Sequence, residues 1–452
     1  MISHRTKEEI KEQAQRTVEI AMKKGAQTAV VKVFSRANFS LEVRNGDVEN
    51  LSEARSRNLT ITLSKEGRRA TVATCEADEA GVNRMIDQAL DMCNYTDPDD
   101  CYSLPDEDLL IKAEGNLDLF DERIEHWPIE DRIAAARELE SLLKAKAPEL
   151  SPDGAGIGSA VGVSALANSL GFCKGKANSA VTLGITAFAE DNVEEGDLNT
   201  GRRQLGGWTS QARHMEDLQK HEEIADLAVE QVRRKLGARK PQTGSFPVYF
   251  EPKMARVLWG HLLTAMGGGA VYRKQSYLAD RVGSKVCSDV VTLIDDPTIR
   301  RGLASRDFDG EGVACHRSEL VSEGTLNTYT MATYSARKLG LKSTGHAGGV
   351  GNLLVAPGDL SEEEMLARMG TGVWVTNVLG QGVNTSTGDY SRGALGLWVE
   401  NGQVAYPIME FTLASNLDDM FRNIIMMGNN VYEKSAIRTP GFVVEEMKLS
   451  GA

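Results

Sequence analysis

The spacing of apolar residues gives the two halves of the chain different rhythms. Near the start, Ile10, Ala14, Val18, Ala21 and Met22 recur at helical spacing, and Gly25 follows as a stop. The pattern then turns to alternation. "TAVVKVF" and "FSLEVRNGDVENL" place Phe39, Leu41 and Val43 on one side of a strand running to Asn45-Gly46, a pair suited to a type I′ hairpin turn. "NLTITLSKEGRRATVAT" predicts a second hairpin around Glu66-Gly67, and "DEAGVNRMIDQALDMC" returns to a helix. Residues 97–128, rich in Asp and Pro, read as a long connection. "IEDRIAAARELESLLKA" predicts a helix ending before Pro148, and residues 156–190 alternate as strands. A further helix is expected from about Met215 to Leu236, on the stripe Leu218, Ile224, Leu227, Ala228 and Val232.

Beyond Gly237 the elements shorten. "FPVYF" predicts a strand, and Pro252 suits the first turn of the helix after it, where a missing N–H costs nothing. Gly267, Gly268 and Gly269 are expected to stop that helix. Tight turns follow in "SEGTL" and in "LGLWVENGQVAYPI", with Asn401-Gly402 at the tip of the latter. Ser361 and Glu364 form a capping box for one more helix. The predicted class is α+β. An N-terminal domain of antiparallel strands and helices spans 1–236, a linker 237–245, and a β-rich domain, barrel-like or sandwich-like, 246–452.

Composition narrows the partners. The formal net charge of -13 is a poor match to phosphate backbones and anionic bilayers, so neither nucleic acid nor membrane is expected as a direct partner. No apolar run approaches a membrane span. The stretch "MISHRTKEEIKEQAQ" is charged and helical, unlike a secretory signal, which points to the cytoplasm. Cys75, Cys93, Cys101, Cys173, Cys287 and Cys315 form no C-x-x-C and read as scattered reduced thiols.

The candidate chemistry centres on "WGHLLTAM", residues 259–266. A zinc peptidase helix carries two histidines and a glutamate at helical spacing, so that two imidazoles hold the metal and the carboxylate polarises its water. Here His261 stands alone, with Val257, Leu258, Thr264 and Ala265 as helical neighbours, and reads as a packed histidine. Cys315 and His316 are adjacent, but neighbours in a strand point to opposite faces. Ser391 in "GDYSRG" lacks the glycine two places before it that a nucleophile elbow needs; Asp389 stands there. "GHAGGVGN" (345–352) is no P-loop and reads as a loop whose backbone approaches something closely: a peptide, a partner or its own core.

Several long segments carry a resemblance. "GHLLTAMGGGAVYRKQSYLADRVG", "TYSARKLGLKSTGHAGGVGN", "MGTGVWVTNVLGQGVN" and "TGDYSRGALGLWVENGQVAYPI" are similar to the TldD/PmbA family, as are "RNGDVENL" and "YTDPDDCYSLPD" nearer the start. The resemblance runs over nearly the whole chain. It implies one of two paralogous chains that form a heterodimeric zinc protease of the cytosol, acting on unfolded peptides inside a chamber. One paralogue, the TldD type, carries an H-E-x-x-x-H helix and a cysteine ligand near its C-terminus. When the "YRK" segments of the two types are aligned, the two histidines fall on Gly260 and Ala265 and the glutamate on His261. The third-ligand region falls near "AIRTPGF", which has no cysteine.

The resemblance therefore implies no catalytic residue and no metal in this chain, with zinc expected in a TldD-like partner. It implies a heterodimer with that paralogue, and a homodimer when the chain is isolated. Tyr272, Arg273, His346, Asp389, Tyr390 and Arg392, polar residues inside glycine-rich segments, are the candidates for substrate or partner contact. Two other readings stand beside this one. In the first, His346, Cys315, His316 and the acids of "IDDPT" converge into a metal site and the chain is a peptidase alone. In the second, the chain is a binding protein such as a regulator of DNA gyrase.

Overall fold

The computed structural model of the chain describes residues 7–75, 78–191 and 202–451, so the first six residues of the charged N-terminal stretch lie outside it. The class is α+β. In order, the N-terminal part contains α1 (Lys7–Lys23), β1 (Thr28–Arg44), β2 (Asp47–Lys65), β3 (Arg68–Thr74), α2 (Glu79–Cys93), the short α3 (Glu122–Glu125), α4 (Ile129–Lys146), β4 (Ser151–Asn168), β5 (Cys173–Asp191), β6 (Arg202–Ala212) and α5 (His221–Arg233). The strands form one antiparallel sheet in the order β3-β2-β1-β4-β5-β6.

Alternation sets which face each residue serves. Ala29, Val31 and Val33 of β1 pack under α1 and α2, while Leu41 and Val43, further along the same face, pack under α4 and α5. Val30 faces the other way, with Leu166, Phe172 and Phe308 of the C-terminal part. Both predicted hairpin turns have the positive φ pairs they require, Asn45 and Gly46 at 53° and 83°, Glu66 and Gly67 at 52° and 71°.

Two helix expectations need correction. Met22 is 38 % exposed and off the buried stripe of α1, where Thr17 takes its place and donates to the Gln13 carbonyl. The helix expected from Met215 begins only at His221. Met215–Asp217 is one 3-10 turn, and the chain after it is tied to β6: Gln219 N donates to Ser210 Oγ, and Trp208 Nε1 donates to Gln219 Oε1. Those two bonds hold the backbone extended where the apolar stripe alone would have continued a helix.

The C-terminal part contains β7 (Gly244–Phe250), α6 (Pro252–Met266), α7 (Gly268–Tyr272), β8 (Leu293–Asp296), β9 (Ser318–Ser322), β10 (Thr325–Leu326), α8 (Thr333–Lys338), β11 (Asn352–Val355), α9 (Glu362–Met369), β12 (Gly372–Leu379), β13 (Asp389–Glu400), β14 (Gln403–Asn416), α10 (Leu417–Arg422), β15 (Ile424–Met427), β16 (Ile437–Arg438) and β17 (Phe442–Ser450). Strands β7, β12, β13, β14 and β17 close on themselves, because β14 pairs with β13 on one side and β17 on the other. β15 adds to β17 outside this ring. A second sheet runs β10-β9-β8-β11-β16.

The strand β7 shows how the barrel wall works. Val248 and Phe250 enter the main core with α6, while Tyr249 between them enters a second core under α9. Both faces are covered, so this strand reads as continuously apolar rather than alternating. No helix among the described residues is long and apolar enough to cross a membrane.

Candidate functional site

The helix α6 begins as its sequence demands. Pro252 occupies the first turn, and the preceding Glu251 is held by the two terminal guanidinium nitrogens of Arg234, at 2.8 and 2.9 Å, and by Trp374 Nε1 at 3.0 Å. Its inner face is Ala255, Leu258, Trp259, Leu262, Ala265 and Met266. Trp259 stacks on Phe421 of α10 at 5.2 Å, packs on Phe442 of β17, and donates its indole N–H to Thr439 Oγ1. Full burial of each large side chain on this face contributes about 1.5–3 kcal/mol.

The three positions aligned with a metal helix face different surroundings. Gly260 looks outward, and a Cβ built there would meet nothing within 4 Å. Ala265 is completely buried in the main core. The two positions lie five residues apart, roughly 140° around a regular helix. His261 is half-buried with its ring edge-on to Tyr390, centroids 6.5 Å apart. Its Nε2 is shielded from solvent and has no hydrogen-bond partner, and the same holds for Tyr390 Oη. Burial, reinforced by the Arg392 charge, holds the imidazole below its ordinary value. Burial likewise pushes the Tyr390 phenol up to about 12. Both groups are therefore neutral near pH 7.

Past the end of α6 lies a cleft of about 520 Å³. It is walled by Thr264 of α6, the 267–269 glycines, Tyr272, Arg273, Tyr334 and His346. The glycines stop α6 as expected, and they also turn the chain directly into a new short helix. Gly267 caps α6 and Gly268 starts α7, donating its N–H to the Thr330 carbonyl. A Cβ on Gly268 would sit 2.7 Å from Ser335 Oγ and 2.8 Å from Met331, so the bend needs glycine. Tyr272 meets Tyr334 edge-on at 5.7 Å, and Arg273 lies over the Tyr272 ring. Tyr334 in turn stacks on Tyr102 and donates to Asp99, both from the 97–128 connection.

Five of the six candidates fall into two groups. Tyr272, Arg273 and His346 share the cleft. Tyr390 and Arg392 stand by His261, with Arg392 Nε donating to the Leu379 carbonyl. Asp389 opens β13 and accepts from Thr387 Oγ1 of the preceding turn at 2.5 Å. Tyr334, Thr264 and Ser335 also line the cleft and were not among the candidates. Tyr334 lies in a segment that carries the family resemblance, but nothing local in the sequence links it to Tyr102.

Of the residues offered for an independent metal site, His346 and Asp295 meet, but no third ligand joins them among the described residues. His346 Nε2 lies 3.0 Å from Asp295 Oδ2, and its Nδ1 lies 2.8 Å from Thr344 Oγ1. Cys315 is buried, with its thiol pushed up by burial and donating to the Gly345 carbonyl. His316 is exposed, and Asp296 accepts from Thr298. No group of three or more His, Cys, Asp or Glu among the described residues is placed to hold a metal. In the "GHAGGVGN" loop, two glycines approach the protein's own core: a Cβ on Gly345 would sit 2.7 Å from the Ala314 carbonyl, and one on Gly351 2.8 Å from Pro297.

Comparison with known proteins covers the whole length. Residues 29–93, 122–236 and 243–451 match sequence profiles described as domain 1, the central domain and the C-terminal domain of the PmbA/TldA metallopeptidases. The chain is 38 % identical over 427 residues to the metalloprotease PmbA of Escherichia coli, covering 94 % of this chain and 92 % of that protein. It is 34 % identical to a PmbA homologue of Haemophilus influenzae, covering 98 % and 96 %. A solved structure from Bacteroides thetaiotaomicron, bearing a provisional DNA gyrase modulator label, superposes with TM-score 0.91 at 28 % identity, over 99 % of this chain and all of that one. TldE from Thermococcus kodakarensis shares the fold at TM-score 0.83 and 19 % identity, over 96 % and 99 %.

Proposed function

Because this chain belongs to the PmbA/TldD metallopeptidase family, we propose that it is the non-catalytic half of a two-chain zinc peptidase acting on unfolded peptides in the cytoplasm. The zinc belongs to a TldD-like paralogue. This chain completes the chamber and holds the substrate strand. The observation that carries the reading is the state of α6. A glycine facing open space, a buried alanine and a single imidazole offer no ligand set for a metal. These residues do not fit a metal, so no chemical step runs through one here.

What remains is binding. The aromatic cleft of Tyr272 and Tyr334, with the Arg273 cation beside it, suits an extended peptide held by stacking and by its carbonyl and carboxylate groups. The geometry favours recognition tolerant of sequence, since it offers few fixed donors at known spacing.

The test is hydrolysis of an unstructured peptide by the zinc-loaded chain, alone and with a TldD-like paralogue, with and without chelator. The expected result is no turnover alone and chelator-sensitive turnover in the mixture. Turnover by the chain alone that chelator abolishes would sink the reading.

A further inference from the structure

A second cavity, of about 240 Å³, opens where the two parts of the chain meet and shares no lining residue with the aromatic cleft. Its walls come from the end of β6, the loop after β8 and the approach to β16. Five cations line it, Arg213, Arg300, Arg301, Lys434 and Arg438, against two carboxylates, Asp217 and Glu433. This is a reversal of sign in a chain of net charge -13. Two of the five cations are already paired. Arg300 lies 2.6 Å from Asp118 Oδ2, and Arg301 meets Asp118, Glu216 and Asp217. The other three meet no carboxylate among the described residues. Arg213 donates to the Ser179, Gly302 and Leu303 carbonyls, and Lys434 donates to the Asp217 carbonyl at 3.1 Å. Arg438 Nε is shielded from solvent and has no hydrogen-bond partner.

The fold aims Arg438 at this cavity. Ile437 and Arg438 form β16, paired in parallel with Leu353 and Leu354. Neighbours on a strand point to opposite faces. Ile437 packs on the main core, so Arg438 is turned the other way, into the cavity wall. A buried donor without an acceptor is costly, and such groups ordinarily meet an ion or a water. Arg213 keeps two of its five donors beyond the three given to carbonyls. Burial and the Arg36 charge lower its value, as expected of a cation with no anion beside it. The two carboxylates do not fill the gap: Asp217 lies 3.4 Å from Arg301, and Glu433 is exposed. Three uncompensated cations suit a dianion better than a single carboxylate. A phosphate group carries about -1.5 to -2 charges at pH 7 and several strong acceptor oxygens. Two planar guanidinium forks and one ammonium match it. The cavity is smaller than the roughly 300–1,000 Å³ that hold drug-sized ligands, so the occupant is small.

We propose that this cavity binds a small phosphate-bearing anion, inorganic phosphate or a small phosphomonoester, through Arg213, Lys434 and Arg438. The bound group ties the end of β6 to residues 434–438 and so links the N-terminal and C-terminal parts. The inference rests on this cavity and not on the peptidase reading. It is tested on the full chain by titration calorimetry at fixed ionic strength, with inorganic phosphate, glycerol phosphate, acetate and chloride. Saturable binding of a phosphate species in preference to acetate and chloride is expected. Tighter binding of glycerol phosphate would identify a monoester as the ligand, and tighter binding of inorganic phosphate the free ion. Arg438→Gln should weaken binding about tenfold or more, because it removes a charged donor. Lys434→Gln, at an exposed position, should weaken it about two- to fivefold. Lys342→Gln removes an equal charge elsewhere, beside Asp108, and should change nothing. Phosphate should also slow amide exchange over 211–217 and 433–438 in the wild type. Should Arg438→Gln fail to fold by circular dichroism, Lys434→Gln and the exchange pattern decide. No saturable binding would mean that water alone serves Arg438. That result, binding matched by chloride, or binding undiminished in the folded cavity variants would overturn the proposal.

Discussion

The N-terminal sheet and the C-terminal barrel solve the edge problem in opposite ways. In the barrel, β14 and β17 meet and close the ring, so the backbone groups of the five strands find partners within the ring over the paired residues. In the sheet, β1 and β2 run far past β3, and no strand among the described residues pairs with β2 beyond it. The barrel half carries its apolar helix α6 against β7 and β12. The sheet half places its helices on one face and gives the other to the C-terminal part, through Phe172 edge-on to Phe308 and Lys176 donating to the Phe308 carbonyl. Burial around that lysine holds its ammonium down at about 8. One half is thus built to enclose, and the other to cover it and to offer an edge.

The sharpest way to break this comparison is at Trp259. Trp259→Ala removes the stack on Phe421 and Phe442 and the hydrogen bond to Thr439, and should cost about 3–5 kcal/mol. Amide exchange should show protection falling in β7, β12 and β17 while β1 and β4 keep theirs. Equal losses in both halves would mean that the two parts unfold as one cooperative unit, and the contrast drawn here would be one of shape only.

A smaller effect is expected at the open edge. Glu140→Ala leaves the Asn45 and Gly46 amides without their acceptor and should cost about 1–2 kcal/mol, less than full burial would imply because the hairpin tip is reached by water. Faster exchange at those two amides, with the β4–β5 ladder unchanged, is the measurement. Unchanged exchange would mean that the hairpin holds without its carboxylate clamp.

The contrast also governs what the sequence revealed. The N-terminal sheet was legible because its rules are local: period-two alternation around Leu41 and Val43, and Asn-Gly or Glu-Gly turns with positive φ. The barrel was legible only as a set of short strands. Its closure pairs Thr412–Ala414 with Lys448–Ser450, and its parallel contact joins Val248–Phe250 to Val373–Val375, neither of which has a local signal. The site divides in the same way. His261 and its missing neighbours were visible as a helical pattern. The cleft was not, because Tyr334 reaches it through Tyr102 from another part of the chain. The stretch at Met215–Lys220 shows an apolar stripe losing to specific bonds, those of Ser210 and Trp208.

The smallest effect separates a packed histidine from a disguised ligand. Burial and Arg392 lower the His261 value below its ordinary 6.5, and no carboxylate opposes them. In the unfolded chain the imidazole takes up its proton as the pH falls through about 6.5. In the folded chain it resists until lower pH, so below that point the unfolded state binds more protons. Stability from this group is therefore fully present above about pH 6.5 and falls as the pH drops toward the folded value. His261→Gln removes the dependence, so the stability lead of wild type over variant should shrink on acidification from neutral pH. A constant lead would place the imidazole in water-like surroundings. A lead that grows on acidification would require an anionic partner at His261, which the neutral, unpartnered Nε2 beside Tyr390 does not have.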